Sequence, residues 1–313
     1  MQMDVSIIVP IYNVDLWLSQ CLDSILSQKG LDLEIICIND CSTDNTGDIL
    51  EEYRRKYLKT VKVFTHPINM GYGYSMNVGI QAANASITCI VDSDDYLLEN
   101  SLYNICKQLK DTNADFIQMK QCLLVGGCCN LSARDFTKIV GNNLRKDNQY
   151  TVPIFPWSKV YKTSFVKNFK FTESPGASYQ DVSFGGNVSF YADRISLYKE
   201  PTYAYRYYRT GNSSSCIGMK NRAVYVRYEY VKFLYEASQC DRANMVGALH
   251  FILNLLQPQL SAYLELGLDI SPILIQLMQD IYRTYYHIFI CDQTLCDRIF
   301  GLYNFTLKDR RGF

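Results

Sequence analysis

No stretch of eighteen apolar residues occurs in the 313-residue sequence, so no membrane-spanning helix is expected. No C-x-x-C pair occurs either, although there are 12 cysteines, which argues against a zinc site built on paired thiolates. Neither sign of charge is in excess. Lys and Arg number 31 and Asp and Glu number 31, so the chain lacks the basic footprint of a nucleic-acid binder. No G-x-G-x-x-G follows the first predicted strand, and Pro10 occupies that turn, which removes a dinucleotide-dependent oxidoreductase from consideration. The opening residues Met1-Gln2-Met3-Asp4 carry no basic region ahead of a long apolar segment, so no secretory signal is expected. With the cysteines scattered, several of them inside apolar runs, a reducing, cytoplasmic setting is the expectation.

What is present is an alternation of strand and helix patterns over the first hundred residues. Val5 to Pro10, Leu33 to Ile38, Val61 to Thr65 and Ile87 to Val91 are short apolar runs of strand length. Between them, Asp15 to Gln28 places Leu18, Cys21, Leu22, Ile25 and Leu26 at helical spacing. A second helix runs through Ile49, Leu50 and Tyr53, and a short third one covers Met76 to Ala83. Such alternation implies βαβ units and an α/β sheet whose strand ends meet on one edge. A further helix is expected at Leu102 to Leu109, and Tyr203 to Tyr207 alternates as a strand does. From about Gly126 to Gln149 the pattern is irregular. Beyond Lys220 it turns helical, at Tyr225 to Ala237, Ala243 to Leu256 and Pro272 to Ile290.

Three polar constellations follow strands directly. Asp92-Ser93-Asp94-Asp95 follows Ile87 to Val91 and puts clustered carboxylates at the edge where open α/β sheets bind ligands. Clustered carboxylates are costly unless a cation joins them, and a hard divalent metal that bridges to phosphate suits oxygen ligands. In an extended chain Asp92 and Asp94 share a face while Asp95 points elsewhere. The bland alternative is a solvated turn, or an acidic cap for the helix near Asn100. Asn39-Asp40-Cys41-Ser42-Thr43-Asp44 is the second constellation. Asp40 has the chemistry to accept a hydrogen bond from a nucleobase N–H, and Ser42, Thr43 or Asp44 would serve equally well as helix caps. The third is Pro10-Ile11-Tyr12-Asn13, either an ordinary turn or the wall of a base pocket.

Taken in order, Val5 to Asn13, Asn39 to Asp44, Asn69-Met70-Gly71 and Val91 to Asp95 resemble glycosyltransferase family 2 of the bacterial polysaccharide-biosynthesis type. One departure stands in the second motif, where Asn39 and Cys41 replace the family's usual Asp and Gly. The resemblance implies an α/β fold of the GT-A kind, a Rossmann-like mixed sheet flanked by helices, with a C-terminal helical subdomain. It places the catalytic domain at 1–215, its nucleotide-sugar half at about 1–100 and its acceptor half at about 101–215, and the helical part at 216–313. It implies inverting transfer of a sugar from a nucleotide-diphosphate donor, most often UDP-linked, with Mn²⁺ or Mg²⁺ as cofactor. Pro10, Tyr12, Asn13, Asp40, Asn69, Asp92 and Ser93 would contact the donor, with Asp40 at the base and Asp92 at the ribose or metal. Asp94 would be the principal metal ligand, and the loop Asn69 to Asn77 would lie beside the nucleotide.

The reaction also needs a base for the acceptor hydroxyl, and a positioned carboxylate suits it. Asp181, in a segment resembling the family's Glu-Asp with Gln180 in place of Glu, is the candidate catalytic base; capping of the following helix is the alternative, and Glu173 is held in reserve. Trp157 and Lys159, in Pro156 to Tyr161, resemble an acceptor-side element. Trp157 suits a sugar face or the core, and Lys159 suits a phosphate or hydroxyl. Arg206, Arg209 and Ser213 to Ser215 would approach the diphosphate, unless Arg206 only snorkels from an aromatic strand. The tyrosine-rich tail (Tyr282, Tyr285, Tyr286) suits helix packing, acceptor binding, a dimer, or peripheral contact with a membrane carrying a lipid-linked glycan. The leading expectation is therefore an enzyme of surface-polysaccharide synthesis that acts on a glycan or lipid-linked glycan. The competing one is a catalytically silent relative that binds a nucleotide sugar or a partner. A glycoside hydrolase would leave the nucleotide-pocket motifs unexplained.

Overall fold

The computed structural model describes residues 4–125, 132–135, 154–173, 179–206, 228–239, 242–265 and 271–309. The chain divides into two units, Met1–Arg209 and Thr210–Phe313.

The first unit opens with β1 (Val5–Ile11), α1 (Asp15–Leu26), β2 (Leu33–Asn39), α2 (Thr46–Lys56), β3 (Val61–Thr65), α3 (Tyr72–Ala82) and β4 (Ile87–Ile90). It continues with β5 (Tyr96–Leu97), α4 (Leu102–Thr112), β6 (Phe116–Met119), β7 (Gln121–Val125) and β8 (Ser132–Asp135). After a 3₁₀ turn at Pro156–Ser158 come β9 (Lys159–Lys162), α5 (Thr163–Val166), α6 (Gln180–Tyr191), β10 (Ile195–Tyr198) and β11 (Tyr203–Arg206).

Seven strands form the main sheet in the order β10-β6-β9-β4-β1-β2-β3. All neighbours are parallel except β9, which runs antiparallel to both β4 and β6. The order β3-β2-β1-β4 reverses direction between β1 and β4, and a crevice opens at such a switch point beyond the carboxyl ends of the strands. Alternation along β1 explains the layering. Val5, Ile7, Val9 and Ile11 join Leu18, Leu22, Leu50 and Leu102 of α1, α2 and α4 in one core cluster. Ile8 points the other way, into a cluster with Met76 and Ile80 of α3 and Phe184 and Val188 of α6. Burial on both faces is why β1, β2 and β4 read as continuous apolar runs. Pro10 sits inside β1 opposite Ile38, not in the turn expected for it. The pairing of β1 with β4 ends at Ile8 and Ile90, so the missing Pro10 N–H leaves no ladder bond unmade on that side.

A smaller four-stranded sheet, β5-β11-β7-β8, lies beside the main one. Its β5 follows the carboxylate cluster directly, and β11 brings residues 203–206 alongside it. Ser132–Asp135 shows that part of the irregular stretch is strand. Among the described residues, five cysteines are buried free thiols: Cys21, Cys37, Cys89, Cys106 and Cys122.

The second unit is helical where described: α7 (228–237), α8 (Arg242–Glu265), α9 (Ser271–Thr284), α10 (Tyr286–Phe289) and α11 (Gln293–Asp309). Phe233, Phe251, Leu277, Ile281 and Leu295 are buried there. Among the described residues, no helix is long and apolar enough to cross a membrane.

Candidate active site

The strand ladder itself sets up the first wall. Asp40 N–H donates to the Ile11 carbonyl at 2.8 Å, and His66 N–H donates to the Asn39 carbonyl at 2.9 Å. The residues after β1, β2 and β3 thereby stand side by side. Asp40 is 4% exposed, and its carboxylate is occupied by the chain itself. Oδ1 accepts from Met70 N–H at 2.7 Å and lies 3.0 Å from His66 Nδ1, while Oδ2 accepts from Gly71 N–H at 2.7 Å. The expected nucleobase acceptor thus holds the Asn69-Met70-Gly71 loop in place. One acceptor position remains on Oδ2, since a carboxylate oxygen takes two bonds. Gly71, at φ +87°, turns this loop into α3 in a conformation few side chains tolerate. Asn69 is exposed on the same loop.

Asn13 and the Ser42 to Thr46 segment form a cross-loop staple. Asn13 Oδ1 accepts from Thr43 N–H at 2.8 Å, Asn13 N–H donates to Ser42 Oγ at 3.1 Å, and Val14 N–H donates to Thr46 Oγ1 at 3.0 Å. Asp44 joins it by accepting from Asp15 N–H and Thr46 N–H. Asn13 is therefore engaged with protein, while Tyr12 beside it is 47% exposed at the sheet edge.

The carboxylate cluster is a turn, not an extension of β4: Asp95 N–H donates to the Asp92 carbonyl at 3.0 Å. The expected alternation survives nonetheless. Asp92 and Asp94 are partly exposed, whereas Ser93 and Asp95 are buried. Ser93, expected at the donor, is turned inward at 5% exposure. Asp95 is the fixed point of the turn. Its Oδ2 accepts from Tyr203 O–H at 2.8 Å and its Oδ1 from Arg206 N–H at 2.6 Å. Burial and then the charges of Asp94 and Asp92 push its carboxyl well above the usual range, although those two bonds pull the other way. The Tyr203 hydroxyl also accepts the Asp92 N–H at 3.1 Å, so one phenol ties both ends of the turn.

Arg206 is placed differently from the expected diphosphate contact. Its Nε donates to the Asp94 carbonyl at 2.6 Å and its terminal nitrogen to Gln20 Oε1 at 2.7 Å. The guanidinium lies 4.3 Å from the Trp17 ring centroid and 5.4 Å from that of Tyr96. It clamps the turn to α1. Arg209 and Ser213 to Ser215 lie outside the described residues.

Trp157 is 7% exposed and stacks on Tyr203 at 4.6 Å, Tyr205 at 5.4 Å and Phe155 at 5.5 Å between ring centroids. The expected sugar platform is a packing core beneath the turn. Lys159 is fully buried rather than presented to a phosphate, and its Nζ donates to the Phe155 carbonyl at 3.2 Å. Burial brings its pKa down to about 7, partly offset by the charge of Asp181.

Asp181 stands in the first turn of α6, partly exposed. Tyr179, immediately before that helix, is held at φ +68°, an uncommon conformation for a tyrosine and one that clusters at functional sites. Glu173, the reserve base, is exposed and accepts from Asn77 Nδ2 at 2.8 Å. Asn77 also exchanges two bonds with the Phe171 backbone, at 2.8 and 3.0 Å, latching this segment to α3. Tyr72 is the first residue of α3. Burial, and then the charges of Asp92, Asp181 and Asp94, push its phenol well above the ordinary value. Among the described residues, no group of three or more His, Cys, Asp or Glu side chains forms a metal cage.

Residues 6–121 match the profile described as Glycosyl transferase family 2. They are a family 2 glycosyltransferase domain. The chain is 28% identical over 261 residues to the poly(ribitol-phosphate) beta-glucosyltransferase of Bacillus spizizenii, a match covering 80% of this chain and 40% of that protein. It thus spans well under two thirds of that relative's length. The structure of S. aureus TarS 1–349 in complex with UDP-GlcNAc superposes with a TM-score of 0.74 at 21% identity, covering 99% of this chain and 92% of that one. The Pyrobaculum calidifontis mannosyltransferase, solved with GDP-Man and Mn²⁺, gives 0.58 at 16% identity, covering 99% and 88%. The fold is therefore GT-A, as the motif order implies, with a C-terminal helical part.

Proposed function

We propose that this protein is an inverting glycosyltransferase. It moves a sugar from a nucleotide-diphosphate donor, of the UDP class, to a hydroxyl of a glycan or lipid-linked glycan acceptor. The observation that carries this reading is the pinned turn that leaves Asp92 and Asp94 partly exposed just beyond β4, at the carboxyl edge of the β3-β2-β1-β4 sheet, with Asp181 partly exposed in the first turn of α6. Support also comes from the UDP-GlcNAc complex of the S. aureus enzyme and from the poly(ribitol-phosphate) acceptor named for the Bacillus relative.

Asp92 and Asp94, partly exposed on a turn pinned by Tyr203 and Arg206, would be the residues that hold a metal. That set fits a Mn²⁺ or Mg²⁺ ion that takes its remaining ligands from a diphosphate and water, as such ions commonly do. When bound, the ion supplies Lewis-acid neutralisation of the departing diphosphate. Asp181 takes the proton from the acceptor hydroxyl as its oxygen bonds to the anomeric carbon. The bond from that carbon to the phosphate oxygen breaks on the opposite face, which inverts the configuration. General-base help of this kind contributes roughly 10²–10⁴-fold in rate. The loop held by Asp40 faces the nucleotide, with Tyr12 and Asn69 exposed beside it.

The test is binding and turnover with UDP-sugars and Mn²⁺. The wild-type protein is expected to bind and slowly hydrolyse or transfer at least one of them. Asp94→Ala is expected to abolish Mn²⁺-supported donor binding, and Asp181→Asn to keep binding while losing transfer. Wild-type turnover by Asp181→Asn would remove the base assignment. Tight donor binding without turnover in the wild type would instead favour the silent relative.

A further inference from the structure

We propose that His66 is a positioning residue that restricts the donor's base to one presenting a single N–H between two carbonyls, as uracil does. It does so by filling one oxygen of Asp40. The inference rests on the reading of Asp40 as the acceptor for that base. A carboxylate has two oxygens side by side, and guanine matches both with its ring N–H and its adjacent exocyclic amine. Uracil has one N–H, and its flanking carbonyl oxygens are repelled by an uncovered acceptor. The preferred base therefore turns on whether one carboxylate oxygen or two are open.

In this structure only one is. Asp40 Oδ1 accepts from Met70 N–H at 2.7 Å and lies 3.0 Å from His66 Nδ1. A carboxylate oxygen can only accept, so Nδ1 is the donor, and the two bonds complete what Oδ1 takes. Among the described residues, Oδ2 accepts from Gly71 N–H alone. His66 is held to this contact from several sides. It follows β3 directly, its N–H donates to the Asn39 carbonyl at 2.9 Å, and its ring meets Tyr74 edge-on at 5.0 Å and 73°. The segment 66–71 is thus tied to one carboxylate at both ends, by the imidazole at one and by the amides of Met70 and Gly71 at the other. The second ring nitrogen gives an independent sign. His66 is 8% exposed, and its Nε2 is buried and meets no partner among the described residues. That is a cost an apolar side chain would avoid. Packing alone does not explain an imidazole here, whereas the donor it sets on Oδ1 does. Without it, Oδ1 would keep the Met70 amide and regain an acceptor position beside the one on Oδ2.

The experiment measures Kd in Mn²⁺ for UDP, GDP, inosine diphosphate (IDP) and pyrophosphate, in the wild type, His66→Phe and His66→Asn. IDP has the size and ring N–H of GDP and lacks only its exocyclic amine, so the pair isolates the second donor. Phenylalanine keeps a ring against Tyr74 but has no donor, and asparagine keeps a donor near the place of Nδ1. Melting temperature verifies folding. In the wild type UDP is expected to bind tightest, and GDP ~3–10-fold more weakly than IDP because its amine is desolvated without a partner. In His66→Phe the order of GDP and IDP is expected to reverse and UDP to weaken, while His66→Asn retains the wild-type order. A folded His66→Phe without that reversal overturns the assignment. So does a wild type that binds GDP more tightly than IDP, whether or not any variant folds, since both oxygens would then be open. Purines excluded equally from all three proteins would make pocket size the selector and overturn it too. A wild type that binds pyrophosphate as tightly as UDP, or binds none of the four, overturns the reading of Asp40 at the base and this inference with it.

Discussion

Arg206 and Asp94 meet through the backbone, not through their charges: the guanidinium Nε donates to the Asp94 carbonyl at 2.6 Å. The same planar group covers the Trp17 ring at 4.3 Å. A lysine cannot reproduce both, because its ammonium is a compact point donor without a stacking face. With the turn less firmly held, the partly exposed Asp92 and Asp94 carboxylates lose their fixed spacing. Arg206→Lys is expected to raise the Mn²⁺ concentration needed for half-maximal UDP binding about tenfold, equivalent to ~1.4 kcal/mol. Melting temperature without ligand is expected to move little. An unchanged Mn²⁺ dependence would show that the clamp does not position the carboxylates.

Trp157 distinguishes packing from sugar recognition. Its ring is nearly parallel to those of Phe155, Tyr203 and Tyr205, at 12°, 18° and 14°. Tyr203 in turn holds Asp92 and Asp95. Trp157→Phe is expected to cost ~1–3 kcal/mol of stability, from lost area and aromatic contact. Any kinetic effect is expected to fall on donor and acceptor alike. Denaturant unfolding and KM values for both substrates check this. An unchanged stability with a raised acceptor KM alone would restore the sugar-platform role.

The parts legible in the sequence are those encoded locally. The four apolar runs from Val5 to Val91 and the helices between them form as their periodicity indicates, within a few residues. Asp92 to Asp95 stands where a strand end predicts it. What escaped is non-local. Phe116–Met119 is four buried residues with no alternation, and it becomes a strand because β9 and β10, both distant in the chain, pair with it on either side. The Tyr203–Asp95 bond joins residues 108 apart, and nothing around Tyr203 names its partner. Asp40 is the instructive case. Its position after β2 is legible, but the amides of Met70 and Gly71 that occupy it become neighbours only once α2 and β3 have returned the chain.

Cys41 occupies a position where the family usually has glycine, and the backbone shows why glycine suits it. Its φ is +61°, in the left-handed region. A Cβ in that region costs on the order of 1 kcal/mol, against which glycine loses some entropy on folding. The thiol recovers a little through a weak 3.6 Å contact with the Pro67 carbonyl. Cys41→Gly is expected to stabilise the protein by roughly 0.5 kcal/mol, and Cys41→Val to destabilise it by ~1 kcal/mol or more, since branching at Cβ makes this conformation worse. Urea unfolding of the three proteins should give the order Gly, Cys, Val. A valine variant as stable as the wild type would mean that the loop relaxes out of this conformation.

Glu34 makes acid stability a test of the opposite, amino-terminal edge of the sheet. Its side chain is 1% exposed, and its carboxylate accepts from Ser6 Oγ at 2.6 Å, Asn84 N–H at 3.0 Å, Asn84 Nδ2 at 2.9 Å and the Lys62 ammonium. Burial alone would raise its pKa, but the bonds from Lys62, Ser6 and Asn84 outweigh it and bring the value from 4.5 to about 2. A carboxylate stronger in the folded than in the unfolded chain stabilises the fold above the unfolded value, and that contribution fades as pH falls through the folded one. The shift corresponds to roughly 3 kcal/mol at neutral pH. Glu34→Gln, which carries no charge to titrate, is therefore expected to be less stable than the wild type by about 2–3 kcal/mol at pH 7. The gap should hold to about pH 5 and shrink progressively as pH falls from 4.5 towards 2. Urea unfolding of both proteins at pH 7, 5 and 3.5 measures it. A gap that stayed constant across that range would mean that the Glu34 network stabilises through shape and neutral hydrogen bonding, with its charge contributing nothing.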